Sequence, residues 1–208
     1  MLEHVPHWLG SLFKGVRAGH ARLVVADPDL GLTGESIDLS SPAFANGARL
    51  PERFTADGAG VSPPLVWGPV PEGTLSLALI VEDPDAPSLT PLVHALVWGL
   101  PADEHRLAEG AIVADGAGDA DGRDVGRNSF FAQGWLPPDP PTGHGSHDYV
   151  FQLFALSEVP ALDSNPGRAA IVEAIRGRVL AAGVTTGTYS RGEQAPIRTA
   201  RVGGAARA

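Results

Sequence analysis

The chain has 208 residues, 15 Lys and Arg against 24 Asp and Glu, a formal charge of −9 and no cysteine. That charge argues against a broad nucleic-acid footprint or an anionic membrane surface, both of which need clustered cations. The missing thiols exclude disulfides, thiolate metal sites and cysteine nucleophiles, and an apolar fraction of 43% excludes a disordered chain.

Val5, Trp8, Leu9, Leu12, Phe13 and Val16 recur at spacings of three and four, which predicts an amphipathic N-terminal helix. Packing against the main body is the expected role of this helix, with a homodimer contact through Trp8, Leu12 and Phe13 as the alternative. The following residues, to about 34, read as a linker, giving an organisation of 1–34 helix and linker, 35–191 one β domain and 192–208 tail. The first twenty residues lack the basic, apolar and small-residue zones of a secretion signal, and no apolar run reaches the length of a membrane span, so a cytoplasmic location is expected.

In the body, 26 Gly and 19 Pro punctuate short apolar runs, the pattern of many strands joined by turns. Leu75, Leu77, Leu79 and Val81 alternate with Ser76, Ala78, Ile80 and Glu82, a strand with both faces largely apolar and therefore central in its sheet. It runs into Asp83-Pro84-Asp85-Ala86-Pro87, where two prolines end ladder donation and stiffen a turn bearing two carboxylates. A second strand, Leu92 to Trp98, has an alternation that places His94 on the face of Leu92, Leu96 and Trp98. A third, Tyr149 to Leu156, puts His147, Tyr149, Phe151 and Leu153 on one face. Near the end, Asn165-Pro166 reads as a helix start, with Ile171, Ile175 and Val179 on its apolar side, before a last strand VTTGTYS. The expected architecture is mainly β, an antiparallel β-sandwich with an N-terminal and a C-terminal helix.

Polar residues at strand ends between apolar runs are the candidates for chemistry, because burying a carboxylate or an imidazole is costly. Asp83, Asp85, His94 and His147 meet that description. Imidazole N–H groups and the Tyr149 hydroxyl can donate to phosphate or carboxylate oxygens, and a nearby Asp can orient an imidazole or accept from a ligand ammonium. Two His and a carboxylate could also form a facial metal triad of a metal-dependent enzyme. Asp119, Asp121 and Asp124 lack the spacing and closing Glu of a calcium loop. No nucleophile elbow or phosphate-cradling Gly-Lys-Ser/Thr loop is present.

The stretch VEDPDAPSLTPLVHALVWGLPA resembles the Asp-Pro-Asp-Ala-Pro signature and His-bearing strand of the phosphatidylethanolamine-binding protein family, in its bacterial Raf-kinase-inhibitor-like branch. PPTGHGSHDYVFQLFAL is similar to that family's Gly-x-His-x-Tyr strand, and both occur in the family's order, within a resemblance covering roughly residues 41–191. It implies a sandwich of two antiparallel sheets with a shallow anion pocket formed by Asp83, Asp85, Ala86, Pro87, His94, Pro140, Pro141, His147 and Tyr149. It implies a non-enzymatic binding protein without cofactor, whose ligand is a small anionic or zwitterionic head group and which regulates a protein partner. A scaffold acting without its pocket is the remaining alternative. The chain departs from the pattern at Pro137-Pro138, at Gly126-Arg127-Asn128-Ser129, and at Asp148, where relatives commonly carry a basic residue.

Overall fold

The computed structural model describes residues 15–32, 34–114 and 124–191. The expected N-terminal helix up to residue 14, Asp119 and Asp121, and the 192–208 tail lie outside the described residues.

Among the described residues eight strands form two antiparallel sheets. The smaller has the order β1-β2-β5, from β1 (Leu39–Ser40), β2 (Leu65–Trp67) and β5 (Arg106–Leu107). The larger runs β6-β4-β3-β7-β8, from β6 (Asp124–Val125), β4 (Leu92–Pro101), β3 (Ser76–Asp83), β7 (His147–Leu156) and β8 (Val179–Tyr189). As its alternation requires, β3 lies in the centre with every residue buried. One face, Leu77, Leu79 and Val81, packs with Tyr149, Phe151 and Leu153 of β7 and with Leu39, Leu65, Trp67 and Leu107 of the smaller sheet. The other, Ala78 and Ile80, packs beneath the one described α-helix, α1 (Arg168–Ile175), through Ile171, Val172 and Ile175.

The stretch expected as a linker also covers this outer face. Residues 20–30 form three single-turn 3-10 helices, and Val24 and Leu30 are buried in the outer cluster. Beneath them sits Glu82, fully buried: its carboxylate accepts from the Val24 N–H at 3.0 Å, from the Gln152 amide at 2.8 Å and from Arg168 Nε at 2.6 Å. A buried carboxylate is tolerable when its lone pairs are filled in this way.

Two expectations at the C-terminal end are corrected. Gly167, in extended conformation and without a side-chain cap, precedes α1, not Asn165 with Pro166 as first helical residue. The Pro166 carbonyl is instead held by the Arg127 N–H at 3.0 Å, which pins 165–167 to the loop after β6. Val179 belongs to β8 rather than to the helix: Gly177, at φ 66°, turns the chain, and Val179 pairs with Leu156. The edge of β8 is closed by parallel bridges from Ser36 to Ala182 and from Arg49 to Thr188, a cover that protects an otherwise open strand edge.

Candidate functional site

The site lies where β3 ends and β7 begins. At the end of β3, the Asp83 carboxylate folds back on its own turn and accepts the Asp85 N–H at 2.8 Å, with Pro84 locked between them. Its other oxygen, Oδ2, accepts from His147 Nδ1 at 2.7 Å. Both groups are almost fully buried. On its far side, His147 Nε2 meets Nδ1 of His144 at 2.7 Å, completing an Asp83–His147–His144 chain.

His94 comes to this cluster through an irregularity. In the β3–β4 ladder Val81 faces Ala95 while Glu82 faces Val93, so His94 is the extra residue of a bulge. The bulge corrects the expected face: Leu96 and Trp98 pack in the outer cluster, whereas the His94 ring lies edge-on to Tyr149 at 5.0 Å and 6.0 Å from Trp135, on the inner side. Its Nδ1 lies 2.6 Å from the Leu136 carbonyl, and its backbone carbonyl accepts the Leu136 N–H at 2.8 Å. Nε2 is buried and has no hydrogen-bond partner among the described residues. Burial pushes the His94 pKa below its ordinary value of 6.5, outweighing the opposite pull of Asp83 and of the Leu136 carbonyl. Burial likewise raises Tyr149 well above 10, helped by the charges of Asp83, Asp139 and Asp85, so its hydroxyl keeps its proton.

These groups line a cavity of about 300 Å³. Asp83, Ala86, Pro87, His94, Pro140, Pro141, His147 and Tyr149 are all on its wall, together with Ser88, Leu92, Phe130, Leu136, Pro137 and Asp139. Asp85 is not among them. Its Oδ1 pairs with Arg17, and its Oδ2 accepts the Asp148 N–H at 2.7 Å. The backbone of 18–19 runs along the same turn, with the Ala18 N–H on the Ala86 carbonyl at 3.2 Å and the Gly19 N–H on the Pro84 carbonyl at 2.8 Å. The opposite wall is held from the other end of the chain, where Arg191 pairs with both Asp139 and Asp57. The bond from Arg191 holds the Asp57 carboxyl below its usual range, and Tyr189 donates to the same group at 2.7 Å. A larger depression of about 550 Å³ beside Arg127 and Asn165 gathers none of the candidate residues.

Sequence reasoning passed over His144, Arg17, Asp139 and Arg191. His144 carried a signal in GHGSH, two imidazoles three apart across a glycine turn. The arginines carried none, because their partners lie 68 and 52 residues away. Among the described residues no three His, Asp or Glu side chains are grouped to hold a metal ion. The expected triad instead has both nitrogens of His147 engaged, by Asp83 and by His144.

A two-sheet antiparallel sandwich with a pocket at one end, walled by a proline-stiffened acidic turn and floored by strand-borne imidazoles, defines a β-sandwich of the small-ligand-binding kind. The chain belongs to the phosphatidylethanolamine-binding protein family, whose sequence profile matches residues 40–190. It is 38% identical over 156 residues to a UPF0098 protein of Methanothermobacter thermautotrophicus, covering 75% of this chain and all of that one. A UPF0098 protein of Aquifex aeolicus is 38% identical over 160 residues, covering 76% and 91%. Among solved structures, E. coli YbcL, described as a new member of the mammalian PEBP family, superposes with a TM-score of 0.70 at 31% identity, covering 74% of this chain and 98% of that one. A phosphatidylethanolamine-binding protein homologue from Chlamydia trachomatis superposes with a TM-score of 0.68 at 32% identity, covering 76% and 99%.

Proposed function

We propose that the chain is a non-enzymatic binding protein whose pocket takes a small anionic or zwitterionic ligand of the phospholipid head-group kind. The observation that carries this reading is the shared cavity of Asp83, His94, His147 and Tyr149, about 300 Å³ in volume, large enough for a head group. Hydrogen bonds inside the protein orient Asp83 and His147 before any ligand arrives, which lowers the ordering cost of binding. The cavity wall is mainly apolar with a few convergent polar groups, the usual composition of a small-molecule site. In this reading the protein acts in the cytoplasm and the ligand-loaded form regulates a protein partner, in the manner of a kinase-inhibitor-like switch.

Calorimetric titration with inorganic phosphate, O-phosphorylethanolamine and a nucleotide tests the pocket. The wild-type chain is expected to bind at least one of them, and a His94→Ala/His147→Ala double variant to bind it at least tenfold more weakly. Identical titrations for the two proteins across all three probes would sink the reading.

A further inference from the structure

Proton bookkeeping at the two imidazoles narrows the ligand. The Leu136 carbonyl can only accept, so the contact at His94 Nδ1 requires the proton to sit on Nδ1. In the neutral ring Nε2 then carries a lone pair, and this buried atom has no partner among the described residues. His147 offers no free N–H either: Nδ1 donates to Asp83, which only accepts while ionised, and Nε2 is engaged by His144. The groups facing His94 are Asp83 from β3, His147 and Tyr149 from β7, and Asp139 from the proline loop, with Asp85 just behind the turn. Among the described residues no Lys or Arg lines the cavity. The two nearby guanidiniums, Arg17 and Arg191, are paired with Asp85 and with Asp139 and Asp57. Among the described residues a phosphate dianion would therefore meet a lone pair and carboxylates with no cation in contact.

We infer that the pocket takes a phosphate monoester in its proton-bearing, monoanionic form, its P–OH donating to Nε2 of His94. This inference rests on the anion-pocket reading above and adds the protonation state of the bound ligand. The remaining phosphate oxygens are left for the Tyr149 hydroxyl, which retains its proton. The bound complex holds one proton more than free neutral His94 plus the dianion. Binding above the second pKa of the monoester, about 6, then takes a proton from solution.

The test is calorimetric titration of the full chain with O-phosphorylethanolamine at pH 7.5, in two buffers of different ionisation enthalpy. Phosphorylcholine, which has no N–H, and ethanolamine, which has no phosphate, serve as separate arms. The expected result is uptake of close to one proton per bound phosphate ligand, shared by phosphorylcholine, with affinity falling about tenfold for each pH unit above about 6. His94→Gln, which can turn an amide N–H toward the dianion, should bind without proton uptake. Wild-type binding with no uptake, uptake that persists in His94→Gln, or binding by ethanolamine but not phosphorylcholine would each overturn the inference while leaving a working pocket. Silence from every probe would remove the pocket reading itself, and this inference with it.

Discussion

Replacing Glu82 by Ala removes the acceptor for three donors at once. The Val24 N–H and the Gln152 amide are bonded at 3.0 and 2.8 Å under a side chain that is 0% exposed, so neither gains water when the carboxylate leaves. Each stranded donor costs about 1–2 kcal/mol. Arg168, whose side chain is 28% exposed, can turn to solvent, and its loss is discounted to under about 1 kcal/mol. The space left behind adds a further loss of packing. The total expected for Glu82→Ala is about 3–5 kcal/mol, the range seen when one partner of a buried ion pair is removed. Glu82→Gln keeps the shape and one acceptor oxygen but presents an amide N–H where a second acceptor is needed, and should cost about 2–3 kcal/mol. Urea denaturation followed by fluorescence of the buried Trp67 and Trp98 measures both, and limited proteolysis should show residues 20–30 released first. A loss below about 1 kcal/mol for Glu82→Ala would refute the claim that this network fastens the 20–30 segment to the sheet.

Gly187→Ala should cost about 1–3 kcal/mol in the same denaturation assay, because the added Cβ would stand 2.3 Å from Cδ2 and 2.7 Å from Cγ of the buried Leu50; a neutral substitution would mean that the 44–50 segment moves freely off β8. The pH dependence of stability should carry a His94 contribution. Its folded pKa lies below 6.5, so in the window beneath that value the unfolded chain binds a proton that the folded chain does not. Stability from this residue is therefore full above about pH 7.5 and falls as the pH drops through 6.5 toward the lower folded pKa, with a slope of at most about 1.4 kcal/mol per unit. His94→Gln should flatten the ligand-free stability profile just below pH 6.5; an unchanged slope would place the titrating group elsewhere.

Burial patterning made the sheets legible and left the site partly hidden. The alternation in β3 and β7 reports directly on burial, so the central place of β3 and the shared face of His147, Tyr149 and Phe151 could be read from residue order. In β4 the same rule misplaced His94, because a bulge is set by the pairing of two strands and leaves no trace in the hydrophobic pattern of one. The 20–30 stretch looked like a linker because its buried apolar residues, Leu23, Val24 and Leu30, are few and follow no single period. Leu23 is buried between the first two 3-10 turns, Val24 in the second and Leu30 in the third. α1 lost its expected start for a similar reason: Asn165 and Pro166 have the local chemistry of a cap, but the Arg127 N–H claims the Pro166 carbonyl. That Asp83 and His147, 64 residues apart in sequence, share one pocket was an expectation only through the family resemblance, while the bond between them and its extension to His144 were not expected.

The charge of the pocket is set largely from outside the two motifs that build it. Asp85 and Asp139 flank the cavity, and either would oppose an anion if its charge were left bare. Each is answered by an arginine from a distant part of the chain, Arg17 for Asp85 and Arg191 for Asp139. Both arginines lie outside residues 40–190, the span of the family profile. The profile region thus supplies the fold, the imidazoles and the acids, while the flanking segments supply the cations that offset two of those acids. Because these cations are committed to carboxylates, they reduce repulsion of an anionic ligand without contacting it. In the proposed reading, a site neutralised in this indirect way has little to offer a dianion and enough for a protonated monoanion. Selectivity between those two forms, in that reading, depends on the flanking segments as much as on His94 and His147.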